Sequence, residues 1–363
     1  MKNILHITPN FNYSCGRSKL AFMYLKYFSN KEDYQVHFIT NGGDSLERLK
    51  EVPRVNFKIF RFTTGYKNIF YKKGFYNSLK GFVKENNISL IHTHHRFPES
   101  AAVQVSRELN VRTVTSAHSF VKGLKEWGFN SDKVIAVSNS VRNYLFNDFK
   151  VSAERILTLY NPIEKSQEKD KVLLNLFRTE KGITDENKII LFVGRLCSDK
   201  GFDQLIKAFE LIRTKNKNAI LVAAGQIEGN KNVFESFLNN ERVIHIPPQR
   251  NIQNFYDKSD LVVLPSRIDP FPFVMLEAGV YKKPFIGGNT GGIAEFIEDG
   301  KNGLLVDAEN PEELAEKIIY LLNNPDIGRM FGENLYEKVN RLCNYNNYFC
   351  EVEKIYNSLL NSE

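Results

Sequence analysis

The sequence predicts an α/β protein with two doubly wound domains in series, each a parallel sheet covered by helices on both faces. Short apolar runs alternate with polar loops and helix-like segments, which is the order that such a sheet requires. The alternation stops in a charged stretch around residues 161–188, which contains a proline and the run QEKDK, and then starts again. The 363 residues suffice for two domains of roughly 150 residues each.

Each predicted strand is a short, mainly apolar run. In the first half these runs occupy residues 2–7, 35–40, 89–92, 112–116 and 133–137. In the second half they occupy residues 188–193, 219–224, 243–246, 260–265, 284–286 and 303–306. Helical patterns occupy residues 19–29, 138–145, 205–213, 273–281, 311–322 and 347–360, with Ser138 able to cap one helix and Pro311 near the start of another.

The change of pattern predicts the domain organisation. We expect one domain over residues 1–165, a second over residues 166–345, and a C-terminal helix in residues 346–363 that packs on the first domain. Ligands of doubly wound sheets bind beyond the carboxyl ends of the strands. The expected site is therefore a cleft between the two domains.

The composition is that of a soluble globular protein, with 42% apolar and 25% charged residues. No apolar run approaches the roughly 18 residues that span a membrane. The start, MKNILHITPNFNYSCGR, turns polar too early for a secretion signal. The cysteines Cys15, Cys197, Cys343 and Cys350 lack the spacing of a metal site. We therefore expect a cytoplasmic protein with reduced thiols and no zinc site.

The net charge of +7 hides an asymmetry between the two halves. In residues 1–165, Lys and Arg outnumber Asp and Glu by 25 to 13, whereas residues 166–363 carry 24 basic and 29 acidic residues. A basic half joined to an acidic half suggests that only one half meets an anionic partner. Nucleic acid and an anionic membrane face are both candidates.

The strand predicted at residues 188–193 runs into the sequence GRLCSDKGFDQL. Gly194 allows a tight turn, and Arg195 and Lys200 project from the loop before a helix that begins near Gly201. Two cations beside a helix N-terminus make a site for an anion, because backbone N–H groups and the helix dipole add to the side-chain charge. A solvated loop with ordinary surface cations is the alternative.

Two further loops carry acids and glycines suited to sugars. RIDPFPFVMLEAG places Asp269 in the loop after a strand and Glu277 more than a turn inside the next helix. Eight helical residues span about 12 Å, so these acids form no tight dyad, and each can accept hydrogen bonds from the vicinal hydroxyls of a sugar or ribose. In GNTGGIAEF, Gly291 and Gly292 allow close backbone approach to phosphate or sugar, with Glu295 in the first helical turn. Plain turn and capping residues are the alternative.

Together these segments resemble the retaining glycosyltransferases of family 4, which have the GT-B fold of two Rossmann-like domains facing across a cleft. The family signature is a pair of glutamates with seven residues between them, and this chain has Asp269 and Glu277 in that register. The resemblance covers most of residues 188–325, while the first half matches in outline. The matching residues are Gly194, Arg195, Lys200, Gly201, Asp269, Glu277, Ala278, Gly291, Gly292, Glu295, Asp299, Gly300, Asn302 and Gly303.

The resemblance implies that the second domain binds a UDP- or GDP-linked sugar donor. Arg195 and Lys200 would hold the diphosphate and stabilise the charge that grows on it as the sugar leaves. Glu277 would bind the ribose, and Asp269 would bind hydroxyls of the transferred sugar. The other implied donor contacts are Gly194, Phe273, Val274, Gly291 and Gly292 around phosphate and sugar, and Gln249 and Arg250 near the base.

The resemblance also implies two sites in the first domain. SCGR resembles the glycine-rich first loop of the family with one of its two usual glycines, so Gly16 would approach phosphate or acceptor. His118 in TSAHS resembles the histidine that lines the family's cleft, and we prefer it over His92, His94 and His95. Such a histidine can orient the transferred sugar or the acceptor. A structural histidine is the alternative.

Two positions depart from the family pattern. Asp269 is one methylene shorter than the usual glutamate, and Pro272 replaces a common glycine and removes a backbone donor. Both changes bear on the choice of donor sugar more than on the fold. No Asp-x-Asp motif occurs, and Arg195 and Lys200 can take the place of a divalent ion, so we expect no metal and no cofactor. The chain also lacks the dinucleotide, P-loop and serine-elbow motifs, which argues against a dehydrogenase, a P-loop ATPase and a serine hydrolase.

The acceptor side is suggested by residues 57–87, which carry seven Lys/Arg, nine aromatic residues and a single acid, Glu85. Basic residues mixed with aromatic ones favour a membrane interface over stacked nucleic-acid bases. A helix with a solvated basic face and a buried aromatic face is the alternative. We expect no nucleic acid, and a protein peripheral on the inner face of the plasma membrane.

The leading hypothesis is retaining transfer of a hexose to a glycan acceptor, lipid-linked, in bacterial surface polysaccharide assembly such as lipopolysaccharide or capsule. With no evident nucleophile, the expected chemistry is front-face attack in which the leaving phosphate accepts the acceptor's proton. A GT-B-fold sugar-nucleotide epimerase and a non-catalytic nucleotide-sugar-binding protein are the alternatives.

Overall fold

The computed structural model describes residues 1–62, 68–121, 128–164, 183–184, 186–228, 234, 237–248 and 252–361, with residues 68–72 described by their backbone alone. The chain divides into two compact units. The first unit is Met1–Asn161 together with Asn346–Glu363, and the second is Pro162–Tyr345. Each unit contains one parallel sheet with helices between its strands. The predicted α/β class with two doubly wound domains is confirmed.

The first unit has a seven-stranded sheet in the order β3-β2-β1-β4-β5-β6-β7, with all neighbours parallel. The chain builds outward from β1 to β3 and then places β4 on the other side of β1. The switch point therefore lies at the carboxyl ends of β1 and β4, where doubly wound sheets bind ligands. The strands are β1 Lys2–Thr8, β2 Tyr34–Thr40, β3 Val55–Ile59, β4 Leu90–Thr93, β5 Arg112–Ala117, β6 Lys133–Ala136 and β7 Ile156–Thr158.

Helices of the first unit bury apolar residues against this sheet. Leu79 and Phe82 of α2 and Val105 of α3 share one buried cluster with Leu5 on β1 and Ile91 on β4. This cluster holds the central strands in place and thereby positions their carboxyl ends. The helices that follow the strands are α1 Gly16–Ser29, α2 Asn68–Glu85, α3 Arg96–Leu109 and α4 Asn139–Phe149.

The second unit has a six-stranded parallel sheet in the order β10-β9-β8-β11-β12-β13, with its switch point between β8 and β11. The strands are β8 Lys188–Val193, β9 Ala219–Ala224, β10 Val243–Ile246, β11 Leu261–Leu264, β12 Phe285–Gly288 and β13 Leu304–Val306. The helices are α5 Phe202–Lys215, α6 Gln253–Lys258, α7 Phe273–Val280, α8 Gly291–Phe296, α9 Pro311–Asn323 and α10 Pro325–Leu342. Among the described residues of the whole chain, none of the helices combines the length and the apolar character needed to cross a membrane.

The last helix, α11 Tyr345–Leu360, belongs from its second residue onward to the first unit. Two tyrosines on α11 pack against α1. The Tyr348 hydroxyl lies 2.8 Å from the hydroxyl of Tyr24, and the ring of Tyr356 stacks on Phe28 with centroids 5.0 Å apart. The end of the chain therefore covers the face of the first sheet that α1 covers.

Most predicted strands and helices are observed, and β8, β9 and β10 have the predicted bounds. Among the elements that were not predicted are β3, β7, α6 and α10. β3 is an edge strand whose Phe57 and Ile59 are 47% and 52% exposed, so it lacks the apolar run of a buried strand. α10 is rich in polar residues, but it buries Phe331, Leu335 and Val339 at the four-residue spacing of one helix face.

Candidate functional site

The loop between β11 and α7 carries Asp269 at the carboxyl edge of the second sheet, beside the switch point. Asp269 is buried, with 2% of its surface exposed. Its Oδ2 atom lies 2.5 Å from Lys200 Nζ, and the Ser266 hydroxyl donates to the same oxygen at 3.3 Å. A buried carboxylate requires such partners, because burying an unpaired charge is costly. Asp269 and Lys200, predicted independently, thus form one ion pair.

Three glycines hold this loop by their lack of a side chain. A Cβ on Gly201 would lie 1.9 Å from the carbonyl oxygen of Pro265, and one on Gly288 would lie 2.1 Å from that of Ser266. A Cβ on Gly292 would lie 2.0 Å from the carbonyl oxygen of Pro270. Residues 265–270 therefore touch the backbone after β8, at the end of β12 and at the start of α8, which fixes the position of Asp269.

The glycines at the start of α8 serve this packing directly. The Gly292 N–H donates to the backbone oxygen of Asp269 at 2.9 Å, and Gly291 has a φ of 49°, in the left-handed region that favours glycine. The predicted close backbone approach at Gly292 is thus made by the protein itself, and its contact with a ligand stays a prediction. Glu295 is the fifth residue of α8, so the prediction that it lies in the first turn was wrong.

Arg267 braces the same loop, and nothing in the sequence distinguished it from a surface cation. Its guanidinium donates to both carboxylate oxygens of Asp203 at 2.7 and 2.8 Å and also bonds Glu309. The hydrogen bonds that Arg267 donates to Asp203 and then to Glu309 raise its pKa above the ordinary value, so it stays charged. The backbone N–H of Arg267 donates to the Asp199 carbonyl at 3.0 Å, which ties the loop after β11 to the loop after β8.

Arg195 lies in the loop after β8, beyond the turn at Gly194, whose φ is 151°. Its Nη1 atom is 2.7 Å from Glu228 Oε2, and the two side chains are 40% and 41% exposed. Burial is the largest single influence and opposes the charge, but the hydrogen bond to Glu228 and the nearby charges of Cys197, Glu228 and Asp199 together outweigh it and raise the pKa of Arg195. Each of the two predicted anion-binding cations is therefore paired with an acid, and the partner Glu228 was not predicted.

Glu277 is the fifth residue of α7 and is half-buried. The hydroxyl of Tyr256 on α6 donates to Glu277 Oε2 at 2.5 Å. Burial, and then the charge of Glu277, raise the pKa of Tyr256 well above its ordinary value, so this hydroxyl keeps its proton and holds the carboxylate. Nothing in the sequence indicated Tyr256 as the residue that orients Glu277.

Phe273 and Val274 are the first two residues of α7, and Pro272 is its N-cap without a side-chain hydrogen bond. The first backbone N–H groups of a helix lack intrahelical acceptors and carry a partial positive charge. The positive end of α7 therefore lies next to the loop of Asp269. The predicted base contacts Gln249 and Arg250 lie outside the described residues.

The DGKNG segment in the resemblance is a structural turn before β13. Asn302 Oδ1 accepts from the Glu298 N–H at 2.7 Å, and Asp299 Oδ1 accepts from the Leu305 N–H at 2.8 Å. Gly300 has a φ of 75°, in the left-handed region that favours glycine. The turn itself therefore explains why Asp299, Gly300 and Asn302 occur in this segment.

In the first unit, the predicted residues lie at the carboxyl edge of the sheet. Gly16 is the first residue of α1, and His118 directly follows β5. His118 is half-buried, and burial together with the charge of Arg17 lowers its pKa to about 3, so it is neutral near pH 7. Its Nε2 atom lies 3.4 Å from His94 Nδ1.

The other histidines of this region have partners inside the unit. His92 is buried, with its Nδ1 atom 2.5 Å from the Tyr356 hydroxyl and its Nε2 atom 2.8 Å from Ser116 Oγ. His95 is the N-cap of α3, and its Nδ1 atom accepts from the Phe97 N–H at 3.3 Å. These contacts give His92 and His95 structural roles.

Comparison with known proteins identifies the family. Residues 175–338 match the family described as Glycosyl transferases group 1, and residues 24–167 match the one described as Glycosyltransferase Family 4. The chain belongs to glycosyltransferase family 4. This glycosyltransferase is a transferase enzyme, and its two Rossmann-like units are those of the GT-B fold.

Relatives of this glycosyltransferase cover nearly its whole length. It is 28% identical to an uncharacterized glycosyltransferase of Methanocaldococcus jannaschii, over 84% of each chain. It is 25% identical to the capsular polysaccharide biosynthesis glycosyltransferase CapM of Staphylococcus aureus, over 92% of each chain. Its fold is similar to that of Anabaena HepE crystallised with UDP-glucose, with a TM-score of 0.84, 16% identity and coverage of 99% and 100% of the two chains.

Proposed function

We propose that this glycosyltransferase moves a hexose from a nucleoside diphosphate sugar to a glycan acceptor, with retention of the anomeric configuration. The observation that carries the proposal is the buried ion pair of Lys200 and Asp269 in a loop clamped by three glycines. Such a site offers a fixed cation for a phosphate and a fixed carboxylate for hydroxyls at the carboxyl edge of a doubly wound sheet.

In this proposal, the donor diphosphate replaces the carboxylates as the partner of the two cations. Phosphate oxygens bind Arg195 and Lys200 in place of Glu228 and Asp269, and Asp269 then accepts hydrogen bonds from the transferred sugar. The N-terminus of α7 adds a partial positive charge for the phosphates and the sugar. Glu277, held by Tyr256, accepts from the ribose.

UDP-glucose is the first donor to test, because a protein with a similar fold was crystallised with it. In the chemical step, the bond from the anomeric carbon to the diphosphate oxygen breaks, and the acceptor oxygen bonds that carbon on the same face. The acceptor's proton passes to the leaving phosphate oxygen. Lys200 and Arg195 stabilise the negative charge on the diphosphate, so we expect no requirement for a metal. His118 binds hydroxyls as a neutral ring.

The proposed acceptor is a glycan of a surface polysaccharide, presented on a lipid. The similarity to CapM, which is named for capsular polysaccharide biosynthesis, supports the glycan. The excess of basic residues in the first half supports an anionic membrane surface. On that half, edge strand β3 exposes Phe57 and Ile59 on one face, which suits insertion into a lipid headgroup region, while Lys58 between them lies on the opposite face.

The decisive experiment uses a panel of UDP-, GDP- and ADP-sugars. Thermal shift ranks donor binding, since a ligand that binds the folded chain raises its melting temperature. The donor that binds is then incubated with and without glycan acceptors, and NMR of the product reads the anomeric configuration. We expect acceptor-dependent transfer with the donor's anomer kept. An inverted product contradicts the retaining mechanism, and net epimerised nucleotide-sugar without acceptor contradicts the transferase.

A further inference from the structure

Three histidines of the first unit, His6, His94 and His118, form a hydrogen-bonded series that we call the histidine series. His6 Nδ1 lies 3.1 Å from His94 Nε2, and His94 Nδ1 lies 3.4 Å from His118 Nε2. His6 and His94 are 0% and 1% exposed, whereas His118 is half-buried. The series therefore runs from the buried interior of β1 to the residue that follows β5.

All three imidazoles are neutral near pH 7. Burial lowers the pKa of His6 to about 3, as burial and Arg17 do for His118. Burial, and then the neighbouring histidines, lower the pKa of His94 well below its ordinary value. A neutral imidazole has one N–H donor and one bare nitrogen. Because His94 bonds through both nitrogens, it donates on one side and accepts on the other, so both bonds point the same way.

The remaining nitrogen of His6 selects the direction. His6 Nε2 is buried without a hydrogen-bond partner in the part of the chain that the structure describes. If the bonds point inward, His118 donates to His94 and His94 donates to His6 Nδ1. His6 then carries its proton on Nε2 and buries an N–H donor without an acceptor. If they point outward, the same nitrogen keeps a bare lone pair. Buried N–H groups without partners are rarer in proteins than acceptors without partners, which favours the outward direction.

We propose that His6 and His94 are positioning residues that set the tautomer of His118, so that His118 carries its proton on Nδ1 and donates a hydrogen bond to a hydroxyl oxygen of the substrate. In this arrangement His6 Nδ1–H donates to His94 Nε2, and His94 Nδ1–H donates to His118 Nε2. The contact with a substrate hydroxyl rests on the proposed function, whereas the tautomer of His118 does not.

A metal site is the competing explanation for part of this cluster. His6, His92 and His94 have ligand atoms that all lie within 4.8 Å of one another. However, both nitrogens of His92 are already bonded, to Tyr356 and Ser116, and His6 Nδ1 is bonded to His94. Zinc lies roughly 2.0–2.1 Å from its nitrogen ligands, so binding would break these bonds. The hydrogen bonds favour the histidine series over a metal site.

The test reads the tautomer directly. The full chain is labelled with ¹⁵N-histidine, and the two ring nitrogens of His118 are assigned by long-range ¹H–¹⁵N NMR. We expect His118 to be protonated on Nδ1. In His6→Phe the donor to His94 is lost, so we expect a mixture of His118 tautomers. We also expect kcat/KM to fall about fivefold, the factor that corresponds to the net free energy of one neutral hydrogen bond. In His6→Asn the side-chain amide replaces the Nδ1–H, and both readouts recover.

His37 is the matched control. It lies on β2, is 4% exposed, and also has a buried Nε2 with no hydrogen-bond partner among the described residues, but its Nδ1 atom bonds Asn56 and not the histidine series. We expect His37→Phe to alter stability and to leave the His118 tautomer unchanged.

Several results would overturn the proposal: His118 protonated on Nε2, a tautomer unchanged in His6→Phe, or stoichiometric zinc found by elemental analysis. If His118 shows the expected tautomer but the protein transfers no sugar, the result supports the histidine series and contradicts the proposed function. Failure of the histidine series and failure of the proposed function are therefore distinguishable.

Discussion

At the scale of single residues, each predicted donor-binding cation is held by an acid. Lys200 pairs with Asp269, and Arg195 pairs with Glu228. The Asp269 pair is the more buried one, with side chains 20% and 4% exposed, so removing one partner leaves a desolvated charge. Under the proposed function, the donor exchanges these contacts for phosphate and hydroxyl contacts without exposing the charges to water.

The first prediction concerns Asp269. Asp269→Asn keeps the shape of the side chain and removes the charge that binds Lys200 and the proposed sugar hydroxyls. We expect a fall in kcat of about 100-fold, since fixed charges at a reacting centre contribute on that order. Steady-state transfer with the donor selected by thermal shift measures the effect, and circular dichroism checks the fold.

Asp199→Asn is the matched control for this variant. Asp199 lies next to Lys200, is exposed, and contacts the Asp269 loop through its backbone carbonyl, which the substitution retains. We expect its kcat to change by less than about twofold, as for surface substitutions. Equal effects of the two variants would mean that general charge near Lys200, and not Asp269, supports turnover.

At the scale of secondary-structure elements, the loop after β11 is positioned by the backbones of its neighbours. Gly201, with a φ of 69°, and Gly300, with a φ of 75°, need the same left-handed conformation. A Cβ on Gly201 would lie 1.9 Å from the Pro265 carbonyl, whereas one on Gly300 would meet nothing within 4 Å. The two glycines therefore separate the cost of the conformation from the cost of displacing the loop.

The second prediction compares alanine at these glycines. Gly300→Ala carries the conformational cost alone, about 1 kcal/mol in the free energy of unfolding. Gly201→Ala adds the clash, which we expect to bring the loss to about 3 kcal/mol and to lower turnover by moving Asp269. Urea denaturation and transfer assays measure both. Equal losses in the two variants would show that the contact with Pro265 is unimportant.

The third prediction concerns the exposed edge strand β3. If β3 meets an anionic membrane, Phe57→Ser together with Ile59→Ser should lower co-sedimentation with phosphatidylglycerol vesicles several-fold at low salt. Binding should also weaken at high salt, because basic residues contribute to it. Phe146→Ser is the control, since Phe146 on α4 is 51% exposed and lies outside β3. Salt-insensitive binding, or an equal loss with Phe146→Ser, would contradict a role for β3.

At the scale of the whole molecule, three buried histidines make stability depend on pH. Burial lowers the pKa of His6 to about 3, and burial with neighbouring histidines lowers those of His92 and His94 well below the ordinary value. Unfolded histidines titrate near 6.5. Below that pH the unfolded chain binds more protons than the folded chain, so stability falls as the pH falls.

The fourth prediction concerns how much the free energy of unfolding changes with pH. Between pH 7 and pH 5.5, we expect each of the three histidines to lower the free energy of unfolding by about 1 kcal/mol. Urea denaturation followed by circular dichroism at the two pH values measures the loss. His6→Asn should reduce the pH-dependent part by about 1 kcal/mol, the share of one histidine. A stability that is constant or higher at pH 5.5 would contradict neutral, buried histidines.

Much of the fold was predictable because strands of a parallel sheet are buried on both faces and therefore appear as apolar runs. β8 and β9 are examples. β3 was not predictable in this way, since its residues are mostly exposed. In the site, Asp269 and Lys200 were identified separately, but their ion pair joins residues 69 positions apart, and no local pattern encodes it.

The sequence by itself determined the alternation of strands and helices, the family, and the residue types available for anion and hydroxyl binding, because these depend on local periodicity and motif order. Only the tertiary structure decided which of those residues are partners. Strand order and backbone contacts bring distant segments together. They place Arg267, Tyr256 and Glu228 beside the predicted donor-binding residues, and they place His6 and His94 in the hydrogen-bonded series with His118. Burial then settles their charge states, since desolvation acts on the folded arrangement and not on the composition.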